Sequence, residues 1–121
     1  MNKKTIGEVG EKTAVAYLLN QNYELVEQNY RYKKGEIDLI CIKENLLVFI
    51  EVKKRKNNFY GEPEEFVSKA QKRMIVRTAE HFIFSINWKR NIRFDIIAIT
   101  GDSLKHLEDA FYWLGLSFTS L

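Results

Sequence analysis

The chain has 121 residues, with 19 Lys and Arg against 16 Asp and Glu, so its formal charge is +3; 45% of its residues are hydrophobic and 29% charged. That length fits one domain spanning residues 1–121, and the balance excludes a disordered or collagen-like chain. The lone cysteine, Cys41, excludes an internal disulfide, and the longest apolar run, the six residues 14–19, is far short of the roughly 20 that a membrane-spanning helix needs, so a soluble cytoplasmic protein with no membrane partner is expected.

Lys3 and Lys4 are followed by Gly7, Glu8, Gly10 and Glu11 rather than by an apolar stretch, which argues against a signal peptide. Residues 5–20 read as a helix with Ile6, Val9, Gly10, Thr13 and Tyr17 on one side. Residues 23–30 read as a strand that ends in a turn around Lys33-Lys34-Gly35. Residues 36–42 and 46–53, rich in Ile, Leu, Val and Phe, form a β-hairpin pattern. Residues 54–64 carry a run of cations, Asn57, Asn58, Gly61 and the single proline, Pro63, the composition of an exposed, mobile loop. Residues 64–86 read as a long helix with Val67, Ala70, Met74, Thr78 and Phe82 along its apolar arc. Residues 94–100 read as a strand, and Gly101-Asp102 turns into a short strand at 104–107. The order αβββαββ indicates an α/β protein with a central mixed sheet flanked by helices. The apolar run at 110–114 needs cover, either in the core or on a second subunit.

The hairpin concentrates the chemistry. A two-residue loop at Glu44-Asn45 pairs Lys43 with Leu46, which places Asp38 across from Glu51 and Glu36 across from Lys53; a four-residue loop gives the same register and a three-residue loop does not. Side-chain alternation puts Asp38 on one face with Glu36 and Ile40, opposite Ile37, Leu39 and Cys41, and puts Glu51 and Lys53 on one face with Phe49. Directly opposed like charges are destabilising, so two carboxylates amid Ile, Leu, Val and Phe need a cation. Lys53 supplies one in the plainer reading, a buried carboxylate–lysine pair; Mg²⁺ or Mn²⁺ supplies two charges and suits hard carboxylate oxygens.

Gly35-Glu36-Ile37-Asp38 followed by Glu51-Val52-Lys53 resembles the split Asp…Glu-X-Lys signature of restriction-endonuclease-like nucleases. More closely, the chain resembles the bacterial YraN-like family of uncharacterised proteins, related to archaeal Holliday-junction resolvases. Gly7-X-X-Gly10-Glu11-X-X-Ala14, Asn29-X-Arg31, residues 49–53 with Arg55, and Arg93-Phe94-Asp95 carry that likeness over nearly the whole chain. Ile37 stands where the wider superfamily often has proline. The resemblance implies a restriction-endonuclease-like fold and a site in which Asp38, Glu51 and the Val52 carbonyl hold Mg²⁺ or Mn²⁺, Lys53 orients or deprotonates the attacking water or stabilises charge, and Glu11 completes the set from the first helix. Glu11 shares a helical face with Ala14 and Leu18, although a solvated carboxylate is the alternative there.

Lys69, Arg73 and Arg77 recur every four residues on the second helix and, with Arg31, Lys33, Lys34 and residues 53–56, frame the proposed site as phosphate contacts; a merely solvated charge stripe is the alternative. Gln71 is either an accessory site residue or a core amide, and Phe59 and Tyr60 either stack on an unpaired base or fold back on the core. His81 and His106 lack partners at zinc-ligand spacing, and Asp95 beside Arg93 reads as a structural ion pair. No glycine-rich nucleotide loop and no Ser or Cys nucleophile elbow is present. The expected function is Mg²⁺-dependent hydrolysis of DNA phosphodiesters, at structured or branched sites, and the sequence does not separate DNA from RNA. The alternatives are a nucleic-acid-binding module with little turnover and a structural partner in a DNA-processing assembly. A homodimer is suggested by the family analogy and the apolar tail.

Overall fold

The computed structural model describes residues 3–55 and 67–111. Its elements are α1 (Lys3–Asn20), β1 (Glu24–Tyr32), β2 (Gly35–Lys43), β3 (Leu46–Arg55), α2 (Lys69–Ile86), β4 (Asn91–Thr100) and β5 (Ser103–Phe111). The strands form one sheet in the order β1-β2-β3-β4-β5, with β3 and β4 parallel and every other neighbouring pair antiparallel. A parallel pair needs a long crossover, and α2 lies within it. This is the mixed α/β architecture of restriction-endonuclease-like folds. None of the described helices is long and apolar enough to cross a membrane.

The period-2 pattern of β3 serves two cores. Leu47 and Phe49 face α2 and pack with Ile40, Phe94, Ile96 and the α2 side chains Ile75, Ala79, Phe82 and Ile83. Val48 and Ile50 face the other way and pack with Leu39, Cys41, Ile97, Ile99 and the α1 side chains Ala14 and Leu18. Each such large side chain, fully removed from water, contributes about 1.5–3 kcal/mol. This two-sided burial explains why the strands read as nearly continuous apolar runs.

Several expectations shift. The buried line of α1 is Gly10, Ala14 and Leu18, not Val9 and Tyr17; Val9 is 40% exposed. A Cβ on Gly10 would already touch Lys54 at 3.4 Å, so the smallest residues set the closest approach of α1 to β3. Helix α2 starts at Lys69 rather than 64, because Ser68 caps it by accepting the Gln71 N–H at 3.1 Å. Its buried face is Ile75, Val76, Thr78, Ala79, Phe82 and Ile83, which leaves Ala70 exposed. Strand β3 continues through Lys54 and Arg55, and β5 runs to Phe111, whose ring stacks on Phe94 with centroids 5.2 Å apart. Lys56, Phe59, Tyr60 and the rest of the expected loop, together with residues 112–114 of the apolar run, lie outside the described residues.

Candidate active site

The Glu44-Asn45 turn sets the hairpin register expected of a two-residue loop, from Lys43↔Leu46 to Leu39↔Ile50. One step further on, the backbone ladder stops: Asp38 turns its carboxylate to Val52, whose N–H donates to Oδ2 at 2.8 Å. The strand alternation also breaks there. Ile37 joins the α2-side core with Ile40, whereas Leu39 joins the α1-side core, so Ile37 does not share a face with Leu39 and Cys41. Across on β1, Asn29 takes a left-handed conformation at φ 52° within its strand, a conformation that Asn tolerates better than most residues. The β2–β3 ladder thus ends where the carboxylates sit, while β1 stays paired with β2 as far as Tyr32↔Gly35.

Glu51 is 5% exposed, and its Oε1 is buried with no hydrogen-bond partner among the described residues. Burial first, and the charge of Asp38 second, push the Glu51 carboxyl well above the usual carboxylate range; Lys53 opposes this. Asp38 is also raised, chiefly by burial, against the Val52 N–H and the Lys53 charge. The plainer reading, in which Lys53 satisfies a buried carboxylate, therefore falls short: Lys53 acts on both groups through its charge yet leaves Glu51 Oε1 unpartnered. A buried carboxylate oxygen without a donor is costly, and two hard carboxylates beside each other suit a divalent cation. Among the described residues, no group of three or more His, Cys, Asp or Glu side chains is arranged to hold a metal. The donor set on offer is therefore these two carboxylates completed by backbone oxygen and water.

A cavity of about 470 Å³ opens over this pair, lined by Glu11, Asp38, Glu51, Val52, Lys53, Lys54 and Gln71 together with Gly7, Lys34–Glu36, Met74 and Ile75. All four sequence-identified catalytic candidates are thus in one cavity. Helix α1 delivers Glu11, whose carboxyl is raised by burial and then by the Asp38 charge. Asn29 ties it in: in the amide orientation that satisfies both partners, its nitrogen donates to Glu36 Oε1 at 2.9 Å and to Glu11 Oε1 at 3.1 Å. Glu36 therefore pairs with Asn29 and, at 3.6 Å, with Arg31, rather than lying across from Lys53. Asn29 was noted from sequence only within Asn29-X-Arg31 and given no site role; a lone Asn inside a strand was the further signal available. Arg31, Arg55, Lys69, Arg73 and Arg77 are exposed. Of the cations, Lys34, Lys53 and Lys54 reach the cavity wall itself.

Asp95 belongs to a separate buried network. Arg93 donates to both its oxygens, at 2.8 and 2.7 Å, His106 Nε2 lies 2.7 Å from Oδ2, and the Asp109 N–H donates to Oδ1 at 2.9 Å. Tyr17 and Tyr23 extend it through His106 and Arg93. These bonds hold Asp95 below its ordinary pKa against the opposing effect of burial. The structural ion pair expected of Arg93 and Asp95 is present within a larger network, which Glu108 also joins at 3.5 Å from Arg93.

Residues 10–99 match the model of the uncharacterised protein family UPF0102. The chain belongs to this family. A UPF0102 protein of Cytophaga hutchinsonii is 51% identical over 104 residues, covering 85% of this chain and 92% of that protein. UPF0102 proteins of Natranaerobius thermophilus and Caldanaerobacter subterraneus are 40% and 41% identical over 119 residues, each covering 92% of this chain and 100% and 98% of their own lengths. The UPF0102 match spans β1, β2, β3 and all of β4 but its last residue, Thr100, and with them the whole carboxylate cavity except Gly7.

Proposed function

We propose that the chain is a metal-dependent endonuclease-like protein that hydrolyses phosphodiester bonds of DNA. The observation that carries this is Glu51 Oε1, buried and unpartnered beside Asp38 in a cavity that also holds Lys53. Asp38, Glu51 and the Val52 carbonyl are the groups that would hold Mg²⁺ or Mn²⁺, and the donor chemistry fits a hard cation. When bound, such an ion supplies Lewis acidity toward water and phosphate oxygens. Lys53 places a cation at the wall of the cavity, where it orients the attacking water or offsets charge growing on the phosphate. Glu11, steadied by Asn29, faces the same space and accepts a proton or a water hydrogen bond. Arg31, Lys54, Arg55, Lys69, Arg73 and Arg77 give the surroundings a positive surface that positions a phosphate backbone without reading its sequence. Gln71, at the cavity wall, is an accessory hydrogen-bonding group.

A second reading, a nucleic-acid-binding module without turnover, is favoured by one feature: Asp38 spends its carboxylate on the Val52 N–H. A cleavage assay separates them. Junction, flap and linear DNA, with an RNA control, are incubated with Mg²⁺ or Mn²⁺ and wild type or Glu51→Ala. Wild-type cleavage that is lost in the variant is the expected result. Identical behaviour of the two proteins on every substrate contradicts the nuclease reading, and binding that persists and weakens steeply with salt leaves the module.

A further inference from the structure

Next to the carboxylate cavity lies a second one of about 230 Å³, between Tyr32, Gly35 and Met74 and the cations Lys33, Lys34 and Arg77. Taking about 30 Å³ per water, it offers roughly eight water volumes, the scale of one aromatic heterocycle. Lys34, Gly35 and Met74 line both cavities, so a strand lying in the first brings its neighbouring nucleotide to the second. Gly35 keeps that shared wall thin, because a Cβ there would collide with Thr78 Oγ1 and approach the Met74 carbonyl oxygen to 3.0 Å.

The interior of this cavity is mainly apolar, and the cations stand exposed at its border. An apolar slot framed by positive charge matches a nucleobase on an anionic backbone; an apolar peptide side chain would fill the slot and leave three cations unneutralised. The Tyr32 ring is fixed from the core outward. It stacks on His81 with centroids 3.9 Å apart and planes 10° from parallel. His81 Nδ1 is 2.6 Å from the Tyr30 hydroxyl, and the Tyr30 ring packs edge-on against Phe82. Lys33 Nζ lies 5.4 Å over the Tyr32 ring, so a base that displaces this ammonium stacks on an aromatic already held in place.

We propose that this second cavity takes an unpaired nucleobase of the strand whose phosphodiester occupies the carboxylate cavity. The inference rests on the phosphodiesterase reading and narrows its substrate to nucleic acid with an unstacked nucleotide beside the cleaved bond. An apolar interior makes base choice permissive, as stacking is.

The test uses the full chain without divalent metal, with a duplex carrying a three-nucleotide bulge and the fully paired duplex of the same sequence, each labelled for anisotropy, and a bulge containing 2-aminopurine. Wild type is expected to bind the bulged duplex about tenfold more tightly, the effect of one base–aromatic stack, and to quench 2-aminopurine on binding. Tyr32→Ala should lose the preference and the quenching while binding the paired duplex as wild type does, and Tyr32→Phe should keep both. Equal affinity for the two duplexes, or an undiminished preference in Tyr32→Ala, overturns the base pocket. Paired-duplex binding and Mn²⁺-dependent cleavage, measured on the same preparations, then show whether the phosphodiesterase reading survives; no binding to either duplex overturns both. Should Tyr32→Ala fail to fold, the wild-type 2-aminopurine signal decides, and an unquenched base overturns the pocket.

Discussion

Replacing Glu51 by glutamine should stabilise the metal-free protein while removing its activity. The side chain is 5% exposed, and one carboxylate oxygen has no partner. Burying an ionised carboxylate with such an oxygen costs about 1–3 kcal/mol, and a neutral amide of the same shape removes the buried charge and its repulsion from Asp38. At about 4 °C per kcal/mol for a chain of this size, Glu51→Gln should melt about 4–12 °C above wild type in EDTA at pH 8. The difference should depend on pH. The folded-state pKa of Glu51 is raised from its ordinary 4.5, so the folded protein binds that proton more tightly than the unfolded chain. The stability this gives is fully present below about pH 4.5 and is lost as pH rises through the folded-state value. Wild type should therefore lose stability with rising pH more steeply than the variant, and the two should converge toward pH 4.5. Mg²⁺ at a hundred times its Kd should stabilise wild type by about 2.7 kcal/mol and leave Glu51→Gln unmoved. Differential scanning fluorimetry across pH, with and without Mg²⁺, reads all of this. A variant that melts below wild type at pH 8, or a gap that does not widen with pH, refutes the reasoning.

Further outcomes follow from other residues. Gly35→Ala drives a Cβ into Thr78 Oγ1 and toward the Met74 carbonyl oxygen, so urea unfolding should show a loss of about 1–3 kcal/mol. Asp95→Ala strips Arg93 and His106 of their buried partner and should cost about 3–5 kcal/mol. Because Asp95 is held below 3.8 in the folded state, its contribution is present above that pH and lost as pH falls through the depressed value, which acid titration of the wild type and variant will compare. Lys69→Ala and Arg77→Ala should each lower the slope of log affinity against log salt by about one, with no change in substrate preference for Lys69→Ala.

The hairpin was legible because a strand's period is strict: a two-residue turn at Glu44-Asn45 left one register, which holds as far as Leu39↔Ile50 and leaves Asp38 and Glu51 as neighbours just beyond it. Glu11 was legible for a similar reason, since it shares the helical face of Ala14 and Leu18, the line that α1 buries. What escaped depends on tertiary choices that periodicity does not encode. Asn29 at φ 52° and the broken alternation around Asp38 are local departures from strand geometry, and they build the cavity by abandoning the rule that located it. The apolar face of α2 keeps Thr78 and Phe82 of the expected arc, with Val67 buried just ahead of the helix, but adds Ile75, Val76, Ala79 and Ile83 and leaves Ala70 exposed. Thr78 and the Met74 carbonyl pack closely on Gly35 of β2. Arg93 and Asp95 were visible as neighbours; His106, Tyr17 and Tyr23 join them only through the sheet and the packing of α1.

Whether Glu51 Oε1 is a ligand oxygen is tested most directly by anomalous scattering from Mn²⁺-soaked crystals. A peak between Asp38 and Glu51, contacting the oxygen that is otherwise unpartnered and absent from Glu51→Gln crystals, is the predicted result. A wild-type map with no Mn²⁺ peak between those two carboxylates would contradict it.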